Sequence, residues 1–359
     1  MDPAALIPTP DAIPVHWGWF QLFLSLTFFL HILLMNVMFG TAFIALVSHV
    51  RGASAASPCT EAISRTLPFT IAFTVNFGVA PLLFAQVLYG HLMYASSILM
   101  AVFWLSIVGL LFGTYSLAYV YKYRYAQLRN RRLLVIGLIT MLLLAIAFIF
   151  VNNLTLMQEP TRWSRYFDQP QGRLLNLADP MLLPRYLHFM VSAVAVGGLA
   201  IALFFYWQRD KNAPAAQHWI ASGCRWFSYA TLVNFAIGLW FLTALPKGLL
   251  TASNTTSQLL LLTLGSGILF ALAAVVFGGS RRVIPALSCT LATIALMIAV
   301  RSLLRTALLA PWFSVAQLPL APAYPPLFFF LFFLAAGLAL IVWMVRFTLR
   351  SRSDMKGRP

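Results

Sequence analysis

Long apolar stretches, separated by short polar gaps, repeat along the whole chain. A run of about 20 apolar residues is the length at which an α-helix crosses the hydrocarbon core of a bilayer. The pattern therefore predicts an all-α fold, a polytopic transmembrane helix bundle in which residues 1–359 form a single transmembrane domain. Nine spans are predicted, at residues 18–49, 67–93, 96–121, 133–153, 184–208, 222–245, 258–278, 283–304 and 324–347.

The composition indicates that the solvent of these helices is lipid. Hydrophobic residues make up 61% of the chain and charged residues 9%, and the mean hydropathy is +0.85. So few charged side chains cannot cover the apolar surface of a water-soluble protein. The net charge of +16 does not indicate a nucleic-acid partner, because the Lys and Arg residues cluster in the gaps between the apolar runs.

The distribution of basic residues predicts the orientation of the chain. Sixteen Lys and Arg residues fall on the side that carries the C-terminal tail, and six fall on the other side. Because basic residues are retained in the cytoplasm, we expect the N-terminus outside and the C-terminus inside a bacterial inner membrane. The outer loops are then at about 154–182 and 305–323. The six outer basic residues are Arg162, Arg165, Arg173, Arg185, Lys247 and Arg305.

Acidic residues are rare, and all of them fall in predicted loops or tails. The eight are Asp2, Asp11, Glu61, Glu159, Asp168, Asp179, Asp210 and Asp354. Proton-coupled transporters and proton-delivering oxidases usually carry carboxylates inside the membrane. Their absence from the predicted spans argues against both classes, although relays of histidine or water stay open.

Two histidines, His31 and His188, lie inside otherwise apolar spans. An imidazole in lipid needs a partner, because burial of an unpaired polar group is costly. Neutral imidazole is a common axial ligand of haem iron, and a porphyrin is a flat apolar body that fits between helices. The alternative is that each histidine hydrogen-bonds a neighbouring helix, and the residues alone do not decide between the two.

Five further residues are candidates for cofactor binding, each with an ordinary structural alternative. Arg185 lies one helical turn before the second histidine and could pair with a haem propionate, or extend to the membrane surface. Arg301, inside the eighth span, needs an acceptor such as a propionate or a quinone carbonyl. Met297 is a candidate soft iron ligand or a core residue. His49 and His91 are candidate cofactor-binding residues or interfacial polar side chains.

Several segments carry a family resemblance. The stretch DPMLLPRYLHFMVSAVAVGG, at 179–198, has a basic residue three positions before a histidine, and His31 is followed nine residues later by Gly40. Further segments are NFGVAPLLFAQVLYG at 76–90, LMAVFWLSIVGLLFG at 99–113 and MQEP at 157–160. In their order and spacing, over roughly residues 20–210, these segments resemble subunit I of the cytochrome bd ubiquinol oxidases.

The resemblance implies a nine-span bundle with the same orientation and, since those oxidases are heterodimers, a second membrane subunit. It also implies that His188 ligates a haem b, that Arg185 supports it, and that His31 ligates a second haem. The chain departs from the family where acidic residues and a haem methionine are expected. The residues that replace them are Gln86, Ser97, Leu105, His49 and Thr263. These departures argue against oxygen reduction by the family mechanism.

The resulting hypothesis is a membrane subunit that binds one or two b-type haems through His188 and His31. It would transfer electrons between the quinone pool and a periplasmic c-type cytochrome or another redox protein, as part of a quinol-linked oxidoreductase. Two alternatives stay open. One is a structural membrane anchor of a redox complex that lacks haem, and the other is a transporter.

Overall fold

The computed structural model describes residues 3–52, 57–168, 170–207, 213–251 and 254–356. Nine long helices form most of this part of the chain, and each is long and apolar enough to cross a bilayer. The predicted all-α transmembrane bundle of nine spans is therefore confirmed. The helices are α1 (Trp17–Val50), α2 (Pro58–Leu99), α3 (Ala101–Tyr123), α4 (Arg132–Met157), α5 (Leu182–Tyr206), α6 (Pro214–Thr243), α7 (Thr255–Gly279), α8 (Val283–Leu309) and α9 (Pro325–Lys356).

The connections between the helices define two ends of the bundle. One end, called the loop end below, carries the N-terminal segment 3–16 and the long connections 158–181 and 310–324. The other, called the basic end, carries the Arg-rich connection 124–131 between α3 and α4. Two connections at the same end are separated along the chain by an even number of helices, as expected for spans that alternate in direction. The assignment of the loop end to the outside of the membrane stays a prediction.

Two boundaries that were inferred from charged residues are wrong. Glu61, expected in a loop, lies in the first turn of α2, where the Ser57 side chain accepts a hydrogen bond from the amide of Thr60 (3.2 Å) and caps the helix. Arg305, expected in the outer loop, lies inside α8 and is only 3% exposed. Its guanidinium faces other helices rather than lipid, so the helix does not need to end at this charge.

The connection 158–181 is fixed to the bundle by polar side chains. Asn152, near the end of α4, accepts a hydrogen bond from the amide of Asn176 (3.1 Å). The Asn176 side chain in turn donates to Glu159 (2.9 Å), which also forms an ion pair with Arg162 (2.9 Å). A nine-residue 3-10 helix, Pro160–Asp168, lies within the same connection. These contacts hold a defined cap over the loop end of the bundle.

Close backbone approach at glycine joins α1, α5 and α6. A Cβ atom at Gly197 of α5 would lie 2.5 Å from the backbone of Gly40 in α1. A Cβ atom at Gly198 would lie 2.8 Å from the carbonyl oxygen of Gly223 in α6. Small residues at helix crossings are the usual means by which membrane helices gain packing contacts, because lipid provides no hydrophobic driving force between helices. These crossings form part of the scaffold on which the site below is built.

We expect Gly197→Leu to destabilise the bundle by about 3 kcal/mol or more, since the added side chain has no room against α1. The thermal midpoint of the purified protein, followed by circular dichroism, should fall. Gly265→Leu in α7 is the matched control, because nothing lies within 4 Å of a Cβ atom there. Equal midpoints for the two variants would contradict the packing described here.

Candidate functional site

A cavity of about 370 Å³, lined by residues of α1, α4, α5, α6, α7 and α8, is partly open to the surface of the bundle and is called the central cavity. This volume falls within the range typical of ligand and cofactor sites. Along α8 the cavity extends from Thr290 to Arg305, about 22 Å at the rise of an α-helix. Its walls are mainly aliphatic and aromatic, and its charged side chains all lie toward the loop end.

His188 reaches the central cavity from the second turn of α5. Its Nδ1 atom is buried and forms no hydrogen bond within the described residues. The backbone of Asn234 in α6 lies beside the ring, and a Cβ atom at Gly238 would lie 3.5 Å from Cε1. The absence of a side chain at Gly238 therefore gives the imidazole its place against α6. The ring thus lies at the cavity wall, and its Nδ1 atom stays available for a hydrogen bond.

The polar neighbours of His188 continue along α5 and α6. The hydroxyl of Ser192 donates to the carbonyl of His188 (2.6 Å), and the amide nitrogen of Asn234 donates to that hydroxyl oxygen (2.7 Å). The Asn234 Oδ1 atom is buried without a partner in the described part of the chain. Asn36 of α1 lines the same cavity, and its Oδ1 atom is likewise unpartnered. The cavity thus offers unused hydrogen-bonding atoms as well as an imidazole.

Arg185 lies one turn before His188 and is 6% exposed, so its side chain stays inside the protein instead of extending to the membrane surface. Its Nη1 atom donates to Oε1 of Gln158 (3.1 Å), and its guanidinium carbon lies 5.4 Å from the ring centre of Phe241. Neither partner is negatively charged. The buried carboxyl group of Asp179 acts on Arg185 electrostatically, but from beyond ion-pair distance.

Arg301 and Arg305 enter the same cavity from consecutive turns of α8. The guanidinium carbon of Arg301 lies 4.3 Å from the ring centre of Phe28, and that of Arg305 lies 4.3 Å from the ring centre of Tyr89. The Nε atom of each arginine is buried and makes no hydrogen bond with the described residues. Aromatic faces attract guanidinium groups but carry no net charge.

No carboxylate lies within ion-pair distance of these three arginines in the described ranges. The two ion pairs found there are Glu61 with Arg65 and Glu159 with Arg162. A guanidinium group withdrawn from water without a counter-ion is expensive, and three in one cavity are more so. The geometry therefore favours a ligand that brings negative charge to the loop end of the cavity and an apolar body to its walls.

The other candidate residues are divided between this cavity and the rest of the protein. Met297 lines the cavity, and its methyl group fills the space left by Gly267 on α7. His31 does not line it: Nδ1–H donates to the carbonyl of Thr74 on α2 (3.0 Å), and the ring packs against Gly78. The structure thus brings His188, Arg185, Arg301 and Met297 to one cavity and directs His31 to a different helix interface.

His49 and His91 also lie outside the central cavity. Nε2 of His49 lies 2.9 Å from the hydroxyl of Tyr121, in the half of the bundle nearer the basic end. His91 lies at the loop end in a separate pocket, with its ring against the edge of Phe313. Sequence reasoning placed both residues near membrane surfaces, and it gave no indication that they have such different neighbours.

Several residues of the central cavity were missed at the level of sequence. Arg305 was assigned to a loop, although its spacing of four residues from Arg301 is that of one helix face. Phe28, Ile32 and Asn36 share the same spacing on α1. The spacing of four residues was one available signal. The other was Asn36 itself, because a lone asparagine in an apolar span is unusual. Asn234, also a lone asparagine in an apolar span, gave the same signal, whereas Gln158 in the connection after α4 gave none.

The described residues contain no group of three or more His, Cys, Asp or Glu side chains that could hold a metal ion. A metal at His188 would therefore need further ligands from the cofactor that carries it, as a porphyrin provides.

No model of a known protein family matches the chain, and no curated protein matches it.

Asp179 lies at the loop end, just before α5, and is 5% exposed. Burial raises the pKa of its carboxyl group, against the opposing effects of the Met181 amide, which donates to Oδ1 (2.8 Å), and of the nearby Arg185 charge. A carboxyl whose pKa is higher in the folded protein stabilises the fold below the unfolded pKa of about 3.9. That contribution is lost as the pH rises through the folded pKa.

We therefore expect Asp179→Asn to raise the thermal midpoint at pH 8 relative to wild type, and the difference to shrink as the pH falls toward 4. The measurement is thermal unfolding as a function of pH. Asp168→Asn is the control, because Asp168 is exposed in the same connection. A midpoint for Asp179→Asn that is below wild type at pH 8 would show that pairing with Arg185 outweighs burial.

Proposed function

We propose that this chain is a haem b-binding membrane protein that transfers electrons, with His188 as an axial ligand of one haem in the central cavity. The observation that carries the proposal is the combination of a cavity-facing imidazole with three arginines that have no carboxylate within ion-pair distance, Arg185 and Arg305 being buried and Arg301 partly buried. A b-type haem combines an apolar macrocycle with two propionates, and it needs one or two ligands from the protein.

The residues of the cavity fit this group. Apolar side chains of α6, α7 and α8 would bury the macrocycle, and the arginines would bind the propionates as charge-assisted, often bidentate, partners. The bound iron would supply reversible one-electron chemistry, which the side chains of the cavity do not provide. The polar atoms of Asn36 and Asn234 would meet bound water or the edge of the cofactor.

His188 would have two tasks. Its cavity-facing nitrogen would bind iron, while Nδ1–H faces the backbone of Asn234 and would fix the ring plane after a small shift toward α6. Met297, on the wall formed by α8, is the candidate second ligand. The interface of His31 with α2 lies outside this cavity, so the proposal concerns one haem, and a second haem at His31 stays a prediction from sequence.

The electrons would pass between the quinone pool and a periplasmic c-type cytochrome or another redox protein. The arginine-lined part of the central cavity lies toward the loop end, and the basic end would remain in the cytoplasm of a bacterial inner membrane. A haem near the loop end would then be closer to a partner outside the membrane. A second membrane subunit is part of the same proposal.

A structural anchor without haem is the weaker candidate. Arginines that are withdrawn from water without a counter-ion destabilise a protein that holds no anionic ligand, and an anchor would gain nothing from keeping them. A transporter for organic anions would also use such arginines. Protein that is folded and colourless but binds an organic carboxylate would favour that function over electron transfer.

The first test is the reduced-minus-oxidised visible spectrum of the purified protein, with the haem quantified as its pyridine haemochrome. We expect a b-type spectrum from wild type and loss of most of the haem in His188→Ala, because the iron loses its ligand. His218→Ala is the control, since His218 is exposed outside both pockets. A colourless wild-type protein with a normal helical spectrum would overturn the proposal.

Arg301→Met gives an independent test of the charge argument. Without haem, the variant should be more stable than wild type by about 1 kcal/mol or more, because a buried unpaired charge is removed. With haem, it should be less stable and should lose haem faster, because a propionate loses its partner. Arg225→Met, an exposed arginine of α6, is the matched control and should change neither quantity. The same sign of effect in both states would contradict an anionic ligand at this site.

A further inference from the structure

A second pocket, of about 570 Å³, lies at the loop end and is called the loop-end pocket. The N-terminal segment, the last turns of α2 and the first turns of α3 line it. Tyr89 of α2 has non-helical backbone angles (φ −130°, ψ 22°), and most of the α2 residues that line the pocket follow this kink. Gly90 is the first of them, and nothing lies within 4 Å of a Cβ atom there. The glycine thus leaves space beside the kinked helix.

One side of the loop-end pocket is open to lipid. Tyr94, Ile98 and Leu105 line it and are 69%, 43% and 70% exposed, which in a transmembrane bundle places them against the bilayer. Tyrosine is also a residue type that settles at the level of the lipid headgroups. The N-terminal segment, which precedes the first span, contributes Thr9 and Asp11 on the side of the aqueous phase. An occupant therefore enters from the bilayer and keeps its polar part at the membrane surface.

The charge of the loop-end pocket is negative. Asp11 supplies a carboxylate, and no lysine or arginine lines the pocket. Asp11 is exposed and forms no ion pair with the described residues. His91 is near enough to interact with it electrostatically, but the Nε2 atom of His91 is buried and the ring packs against Phe313. The imidazole is therefore part of the wall, and Asp11 is the group that a cationic ligand meets.

Uncharged polar side chains complete the polar part of the pocket. Thr9, Gln86 and Ser97 line it, and each carries an oxygen that accepts hydrogen bonds. The aromatic side chains that line the pocket add surface of the kind that attracts cations. Together with the carboxylate, these groups suit a primary ammonium, which carries a positive charge and donates several hydrogen bonds. A quaternary trimethylammonium carries the same charge but has no hydrogen to donate.

The backbone of a basic residue, Arg173, is held beside the pocket. The amide of Val102 donates to the carbonyl of Gly172 (2.9 Å), and the amide of Leu174 donates to the carbonyl of Leu99 (3.0 Å). These two hydrogen bonds fix the backbone of Arg173 at the junction of α2 and α3, part of which lines the pocket. Arg173 is exposed and forms no ion pair within the described ranges. A cation-binding pocket and an unpaired positive charge thus lie next to each other at the loop end.

We infer that the loop-end pocket binds a phospholipid with an ethanolamine headgroup, with the ammonium on Asp11 and the phosphate toward Arg173. The acyl chains then lie along the exposed flank that carries Ile98 and Leu105. A phosphatidylglycerol headgroup lacks the cation, and a phosphatidylcholine headgroup lacks the hydrogen-bond donors. The pocket shares no lining residue with the central cavity, so binding of this lipid does not require a haem.

The experiment is native mass spectrometry of the full chain after delipidation, titrated with dioleoyl lipids that differ only in the headgroup. We expect one saturable site for phosphatidylethanolamine, and at least about tenfold weaker binding of phosphatidylcholine and phosphatidylglycerol. Asp11→Asn should abolish this preference, because the charge is lost while the shape is kept. Asp168→Asn, at an exposed position outside the pocket, is the matched control. Equal affinity for the three lipids in wild type, or an unchanged preference in Asp11→Asn, would overturn the inference.

Two further variants locate the lipid. Gly90→Leu should abolish binding of phosphatidylethanolamine, because the leucine fills the pocket without a clash, whereas Gly265→Leu should leave it unchanged. Arg173→Gln should weaken binding several-fold, since the phosphate loses a charged partner, and Arg165→Gln, an exposed arginine outside the pocket, should not. Unchanged binding in Gly90→Leu would place the lipid elsewhere on the bundle and overturn the inference. Unchanged binding in Arg173→Gln would contradict the position of the phosphate.

Discussion

Three guanidinium groups inside the helix bundle set the constraint on which the central cavity depends. Each lies against an uncharged partner, an aromatic ring or a glutamine amide. Such contacts contribute about 1–2 kcal/mol each, whereas withdrawal of a charge from water costs several kcal/mol. The anionic occupant of the proposed function would offset this difference and would stabilise the folded state in proportion to its affinity. Binding and folding would then be coupled at this site.

The positions of these charges are fixed because one face of a helix packs against a neighbouring helix while the opposite face borders the cavity. About two and a half turns separate His188 from Gly197 on α5, so the two residues face opposite directions. The glycine face packs against α1 with backbone contacts, and the histidine face, with Arg185 one turn away, borders the cavity. On α8 the spacing of four residues aligns Arg301 with Arg305 on one face. Close packing on one side thus fixes the position of polar groups on the other.

The number and approximate position of the spans could be predicted because lipid forces every backbone polar group into a helix, and hydropathy records that requirement directly. The ends were less predictable, as Arg305 shows: a charge next to an apolar run indicates a boundary only when it faces lipid or water. Helix rotation was predictable only where polar residues repeat on one face, as for Arg301 and Arg305. His31 and His188 are each a single histidine in an apolar span, yet His31 faces α2 and His188 faces the cavity. The sequence could not distinguish them, because nearly uniform apolar helices carry no pattern that identifies the inner face.

The kink in α2 places residues of one helix turn at two separate pockets. A regular helix would place His91 about 200° around the axis from Tyr89, on the opposite side. The non-helical angles at Tyr89 change this relation, so that Tyr89 lies beneath Arg305 while His91 contacts Phe313, which itself packs on Tyr89. Phe313 belongs to the connection after α8, the helix that carries Arg301 and Arg305. The connection after α8 therefore forms the wall against which the His91 ring packs, and the rings of Phe313 and Tyr89 lie between His91 and Arg305.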